Sequence, residues 1–137
     1  MNYLLDTNAC IALINGKPLA VRSKFQKAID AGAQVFVSSI ALFELWYGVA
    51  KSSRREFNKK RVEIFLAGPV RSLPFEDADA ELAGAIRADI ARVGKPIGAY
   101  DLLIAAQAMR NKLTLITANL SEFARIKALA WADWGKP

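Results

Sequence analysis

Short β-branched and apolar runs in this chain alternate with longer stretches of helical spacing, and that alternation most restricts what it can fold into. "NYLL" reads as a strand ending at Asp6. "NACIALINGK" then reads as a brief helix stopped near Gly16 and Pro18, and a second amphipathic helix spans about Pro18 to Ala31. "AQVFVSS" supplies a second strand around Val35 to Val37, and "IALFELWYGVA" returns to helical spacing, its many bulky groups leaving little of it to face solvent. The basic stretch that follows continues as a helix through Ile64 and Phe65 and stops at "AGP". "VRSLPF" is a third strand. "EDADAELAGAIRADIARVG" is the clearest helix, with Ala78, Leu82, Ile86, Ile90 and Val93 as its apolar stripe. "PIGAYDLLIAAQAM" is another helix, "KLTLITAN" a strand, and "IKALAWADW" holds one more short strand. Strands separated by helices pair in parallel, so the fold class is α/β, a mainly parallel central sheet flanked by helices. No linker, repeat or low-complexity tract divides residues 1–137, which read as one domain.

Composition narrows the setting. The chain is 53% hydrophobic and 23% charged, a globular balance. Cys10 is the sole cysteine, so no internal disulfide forms, and a reducing compartment is the natural expectation. The N-terminal "MNYLLDTNACIALI" has no basic leader and carries Asp6 and Asn8 within its apolar run, unlike a signal peptide. No stretch approaches the roughly 20 apolar residues of a membrane span. A cytoplasmic protein without membrane association is expected. The formal charge of +6 favours a polyanion or an acidic protein as partner. Its most uneven part is "KSSRREFNKKR", Lys51 to Arg61, with six cations and one acid. In isolation such a run is a solvated helix face; beside a nuclease site it becomes a phosphate-backbone surface.

There is no histidine. His-based acid–base chemistry, Ser-His-Asp and Cys-His nucleophile systems and nitrogen-rich metal sites are thereby excluded. One cysteine cannot build a structural zinc cluster, and neither a Walker loop nor GxGxxG is present. What remains is oxygen chemistry, suited to Mg²⁺ or Mn²⁺.

Four places set oxygen groups beside apolar elements. Asp6, followed by Thr7 and Asn8, stands at the C-terminal end of the first strand, where open parallel sheets gather ligands; taken alone it is equally an Asx turn or helix cap. Glu44 sits within "ALFELWY", where partial exposure or a salt bridge also accounts for it. Asp101 begins the apolar "DLLIAAQAM" helix and shares a face with Ile104, Ala105 and Ala108; taken alone it is best explained as an N-cap. Thr117 and Asn119 follow the "LTLI" strand, with Glu122 close behind in the first turn of the next helix. If Asp6, Glu44 and Asp101 converge, their like charges repel unless a cation neutralises them, and a divalent ion turns that repulsion into a binding site.

The ordered set "YLLDTNACIALI", "SSIALFELWYGVAKS", "GKPIGAYDLLIAAQAM" and "LTLITANLSEFARIKALAWADW" spans nearly the whole chain. It resembles the PIN-domain nucleases, specifically the VapC-type toxins of type II toxin–antitoxin systems. The resemblance implies that Asp6, Glu44 and Asp101 hold Mg²⁺ or Mn²⁺ and that Thr7 and Thr117 are orienting hydroxyls. Asn119 takes a catalytic position that is aspartate in many PIN domains, which weakens a second metal, and Glu122 assists through water. Gln107 stands where related toxins often carry histidine, so no proton-transfer role is carried onto it. The resemblance further implies an endoribonuclease toxin acting on structured RNA, tRNA foremost. It implies a homodimer and inhibition by a VapB-like antitoxin. Lys51, Arg54, Arg55, Lys59 and Lys60 are then candidate RNA-backbone contacts on charge and location, with Arg87 a weaker one nearer the site. Two alternatives remain open from the residues alone: a non-catalytic RNA-binding module of this fold, and an interaction protein whose basic helix docks an acidic partner. Phe43, Trp46 and Tyr47 suit either a partner surface or ordinary core packing.

Overall fold

A computed structural model describes residues 1–136. Five strands, β1 (Tyr3–Leu5), β2 (Val35–Ser38), β3 (Arg71–Leu73), β4 (Thr114–Ile116) and β5 (Trp131–Ala132), form one sheet in the order β3-β2-β1-β4-β5. Every pairing is parallel, with Leu5 beside Val37 on one side and Ile116 on the other. Among the described residues seven helices connect them: α1 (Thr7–Asn15), α2 (Leu19–Asp30), α3 (Ser39–Lys51), α4 (Arg55–Leu66), α5 (Asp77–Arg92), α6 (Ala99–Arg110) and α7 (Leu120–Phe123). Leu4, Leu5, Val35, Val37, Leu115 and Ile116 are all but inaccessible, as strands covered by helices on both faces must be. Among the described residues, no helix is long and apolar enough to cross a membrane.

The strand order matters for function. From β1 the chain moves outward to β2 and β3, then returns across β1 to lay down β4 and β5 on the other side. The reversal falls between β1 and β4, and ligands of open parallel sheets sit in the crevice beyond the carboxyl ends of such a pair. Asp6 and Thr117 are the residues immediately after those two ends.

Three expectations need correction. The basic stretch is not one continuous helix: α3 ends at Lys51, and Ser52 stops it by donating from its hydroxyl to the Val49 carbonyl at 3.0 Å while accepting from Asn58 Nδ2 at 3.1 Å. Helix α3 also leaves more of itself in solvent than its bulk suggested. Ala41 and Leu45 are buried, but Phe43, Trp46 and Tyr47 are exposed, Tyr47 by 59%. On α5 the inward stripe is Asp79, Ala83, Ile86 and Ile90, whereas Ala78 and Val93 face out.

The cause of that shift on α5 is a buried charge. Asp79 is fully buried, accepts from the Glu76 backbone N–H at 2.7 Å, and receives Arg110 Nε from the last turn of α6 at 2.5 Å. Arg110 also reaches Glu76 at 2.9 Å. A buried carboxylate left without its cation is far costlier than a lost surface pair. Arg110→Ala therefore lowers the melting temperature well below that of Arg92→Ala, which removes only the exposed Arg92–Asp89 pair; equal losses in thermal denaturation would refute this.

Candidate metal centre

Asp6 leaves β1 with its backbone N–H still on the Ile116 carbonyl, 3.1 Å away, so the ladder itself fixes where its side chain starts. Its Oδ1 accepts the Ala9 N–H at 2.7 Å, which makes it the N-cap of α1 as well as a member of the site. Only 3% exposed, it has its pKa raised, above all by burial; the Thr117 hydroxyl and the Ala9 N–H oppose that, and the charges of Glu44 and Asp133 add to it.

Glu44 lies half-buried on α3 and is tied to α1: the Thr7 hydroxyl donates to Glu44 Oε1 at 2.5 Å. Asp101 is not the N-cap of α6, a position held by Gly98; it is the third helical residue, in the first turn. Its pKa is pushed up to about 6, first by burial, then by a hydrogen bond and charge from Glu122, then by the charges of Asp6 and Glu44. The face it shares with Ile104, Ala105 and Ala108 is the buried one, which presses α6 onto the core and holds its first turn in place.

Asn119 bridges two acids, with Nδ2 3.4 Å from both Asp101 Oδ2 and Glu122 Oε2, while its backbone N–H donates to Thr117 Oγ1 at 2.9 Å. The Gly98 N–H points at Glu122 Oε2, 3.4 Å away. A Cβ built on Gly98 would stand 3.4 Å from Asp101 Oδ2 and 3.7 Å from Glu122 Oε2, so glycine keeps space open beside both carboxylates.

The chemistry of this donor set is all hard oxygen. Cys10, one turn beyond Asp6, is buried and its thiol is pushed far up by burial and by the Asp6 charge, so it stays protonated and out of ligation. Asp6 and Asp101 are both pushed up, first by burial and then by neighbouring carboxylates, and such a set of oxygen donors fits a divalent ion of the Mg²⁺ type. Among the described residues, no three His, Cys, Asp or Glu side chains are already closed around one point. An ion held there would take its remaining ligands from water, as Mg²⁺ usually does.

The cationic residues divide. Lys51, Arg54, Arg55, Lys59 and Lys60 are exposed around the α3–α4 break; Arg54 stacks on Phe57 at 3.8 Å and Lys51 over Tyr47 at 5.0 Å. Arg61, not singled out from the sequence, instead binds the Ile14 carbonyl and Asn15 at the end of α1, and with Glu44 lines a depression of about 140 Å³. Arg87 lines a cleft of about 580 Å³ between α5 and α6, together with Ala99 and Leu102, close in sequence to Asp101. Asp133 was missed altogether: it follows the last strand and only its effect on Asp6 reveals it. Gln107 is buried in the core, not in the site crevice.

Residues 3–129 match the PIN domain family. The chain is 38% identical over 134 residues to the tRNA(fMet)-specific endonuclease VapC of Shigella flexneri, covering 98% of both chains. It is 36% identical over 136 residues to Ribonuclease VapC2 of Rickettsia felis, covering 99% of this chain and all of that one. Among solved structures, VapBC2 from Rickettsia felis bound to a DNA fragment from their promoter superposes with a TM-score of 0.91 at 34% identity, over 98% of this chain and 99% of that one.

Proposed function

Because the chain belongs to the PIN-domain family, as a VapC-type nuclease, we propose that it is a divalent-metal-dependent endoribonuclease toxin of the cytoplasm. It hydrolyses phosphodiester bonds in structured RNA, tRNA foremost, works as a homodimer, and is held inactive by a VapB-like antitoxin. Likeness to the tRNA(fMet)-specific endonuclease of Shigella flexneri and to VapBC2 of Rickettsia felis supports the substrate class and the antitoxin partner.

The observation that supports the catalytic reading is the placement of Asp6 just after β1, at the sheet's reversal point, with the charges of Asp6 and of Glu44 from α3 both acting on Asp101 in the first turn of α6. Asp6 and Asp101 would hold Mg²⁺ or Mn²⁺ directly, and Glu44 directly or through water. What such an ion supplies when bound is activation of water and neutralisation of charge on the phosphate and the leaving 3′ oxygen. Thr7 keeps Glu44 from swinging into solvent, and Thr117 holds both Asp6 and the backbone of Asn119. Asn119 places a neutral amide between Asp101 and Glu122, damping a repulsion that a fourth carboxylate there would worsen. The expected products carry 5′-phosphate and 3′-hydroxyl ends.

Purified protein is expected to cleave total tRNA with Mg²⁺ or Mn²⁺, and Asp6→Ala is expected not to. Full activity in EDTA, or in Asp6→Ala, would sink the mechanism. A pH dependence follows as well. Below the Asp101 pKa of about 6 a proton competes with the ion. Mn²⁺ affinity, measured by calorimetry, is therefore flat above neutrality and falls ~10-fold per pH unit on the acid side, one proton being released per ion bound. A flat affinity across that range would show that Asp101 is not a ligand.

A further inference from the structure

We infer that Gln107 is a positioning residue for the metal centre, its buried amide locking the helix that carries Glu44 to the helix that carries Asp101. This rests on the metal-site reading above and adds a residue that touches neither ion nor RNA.

Gln107 and Ser38 are both fully buried. Gln107 Nε2 donates to the Leu73 carbonyl at the end of β3, 3.1 Å away, and since a carbonyl can only accept, the amide orientation is set. Its Oε1 must then face Ser38, whose hydroxyl donates to it. That leaves a Ser38 lone pair to accept the Ile40 N–H at 3.0 Å, the N-cap bond of α3. The result is a directed chain of hydrogen bonds from the start of α3, through α6, to β3, and no buried side-chain polar atom in it lacks a partner.

Both acids stand six residues from this link, Glu44 after Ser38 and Asp101 before Gln107, about 9 Å along each helix at the usual rise. Helices α3 and α6 also pack directly on each other. A sliding or rolling of one against the other would change the Glu44–Asp101 separation, and the amide link opposes that motion. Packing alone does not require a polar group here: Ile104, Ala105, Ala106 and Ala108 around it are apolar and just as buried. A fully paired buried amide costs little and selects one arrangement of its neighbours, where an apolar side chain would tolerate several.

The test is Mn²⁺ binding to metal-free protein, followed by the paramagnetic signal of the free ion, in wild type, Gln107→Met, Ser38→Ala, the double variant, and Val21→Ala. Val21 is a core residue of α2, a helix without site residues, and its truncation controls for lost stability. Gln107→Met is expected to weaken Mn²⁺ binding about tenfold in protein that circular dichroism shows to be folded. Ser38→Ala, which cuts the same link from the other end with a smaller change in volume, weakens it similarly. The double variant is no worse than the poorer single one, and Val21→Ala binds as wild type does. Variants that melt earlier yet keep wild-type affinity would reduce Gln107 to a core-stabilising residue and overturn the inference, and Ser38→Ala alone decides it if Gln107→Met does not fold. Wild-type protein that binds no Mn²⁺ would overturn the metal reading itself, a result distinct from either.

Discussion

Asp101→Asn is expected to raise the melting temperature of the metal-free protein near neutral pH while cutting RNA cleavage by about a thousandfold. Both halves come from one fact, that Asp101 is a carboxylate partly buried, crowded by Glu122, Asp6 and Glu44, and so held to a pKa of about 6. Its folded pKa lies above the ordinary value of 3.8, so the folded chain binds the proton more tightly than the unfolded chain. The stability this group contributes is fully present below the unfolded pKa and is lost as pH rises through about 6. Near neutrality the carboxylate is therefore a liability to the metal-free fold, and asparagine removes it while keeping the shape. The gain should shrink to nothing as the pH is lowered toward 4, where wild-type Asp101 is itself protonated. Thermal melts of both proteins across that range check the claim. An asparagine variant that melts lower than wild type at neutral pH would show that Asp101 is held by favourable contacts rather than by repulsion awaiting an ion.

The second large effect concerns the exposed cations around the α3–α4 break. Replacing Lys51, Arg54, Arg55, Lys59 and Lys60 together with alanine is expected to raise KM for tRNA by about a hundredfold, with kcat nearly unchanged. The five are carried by the end of α3, the break after it and α4, which packs against α1 and α3 and whose Asn58 and Arg61 line the same depression as Glu44. If all five reach phosphates, the slope of log affinity against log salt should fall by about 3 to 4, since each contact on single-stranded RNA contributes about 0.7. Arg61 is left in place because it holds the end of α1. A variant with unchanged KM and salt slope would move the RNA surface elsewhere and leave the run as a solvated face.

The three candidate acids stand out in the sequence because each interrupts an apolar pattern at a place where such interruption is costly. Asp6 ends a strand, Glu44 lies in a bulky helix, and Asp101 lies at the start of the apolar "DLLIAAQAM" run. Alternation of strand and helix signals was enough for the parallel α/β class. The helix break at Ser52 was not legible, since Lys51, Ser52 and Ser53 are all tolerated in helices and only the Ser52 hydrogen bonds end α3 there. The inward face of α5 was misjudged because Asp79 reads as a first-turn acid until Arg110, thirty-one residues away, is seen to neutralise it. Asp133 left no signal, as a polar residue after a two-residue strand is unremarkable in sequence.

What the sequence by itself determined is therefore the inventory: a parallel α/β frame, no histidine, a single cysteine, and three carboxylates set against apolar patterns. Only the tertiary structure decided which groups act on one another. Periodicity within a strand or helix is a local property, encoded by spacing along the chain. The shift of Asp101 to about 6, the Thr7 grip on Glu44, and the Gln107 link between two helices each join residues that meet only when the strand order reverses between β1 and β4 and when α6 packs against α3.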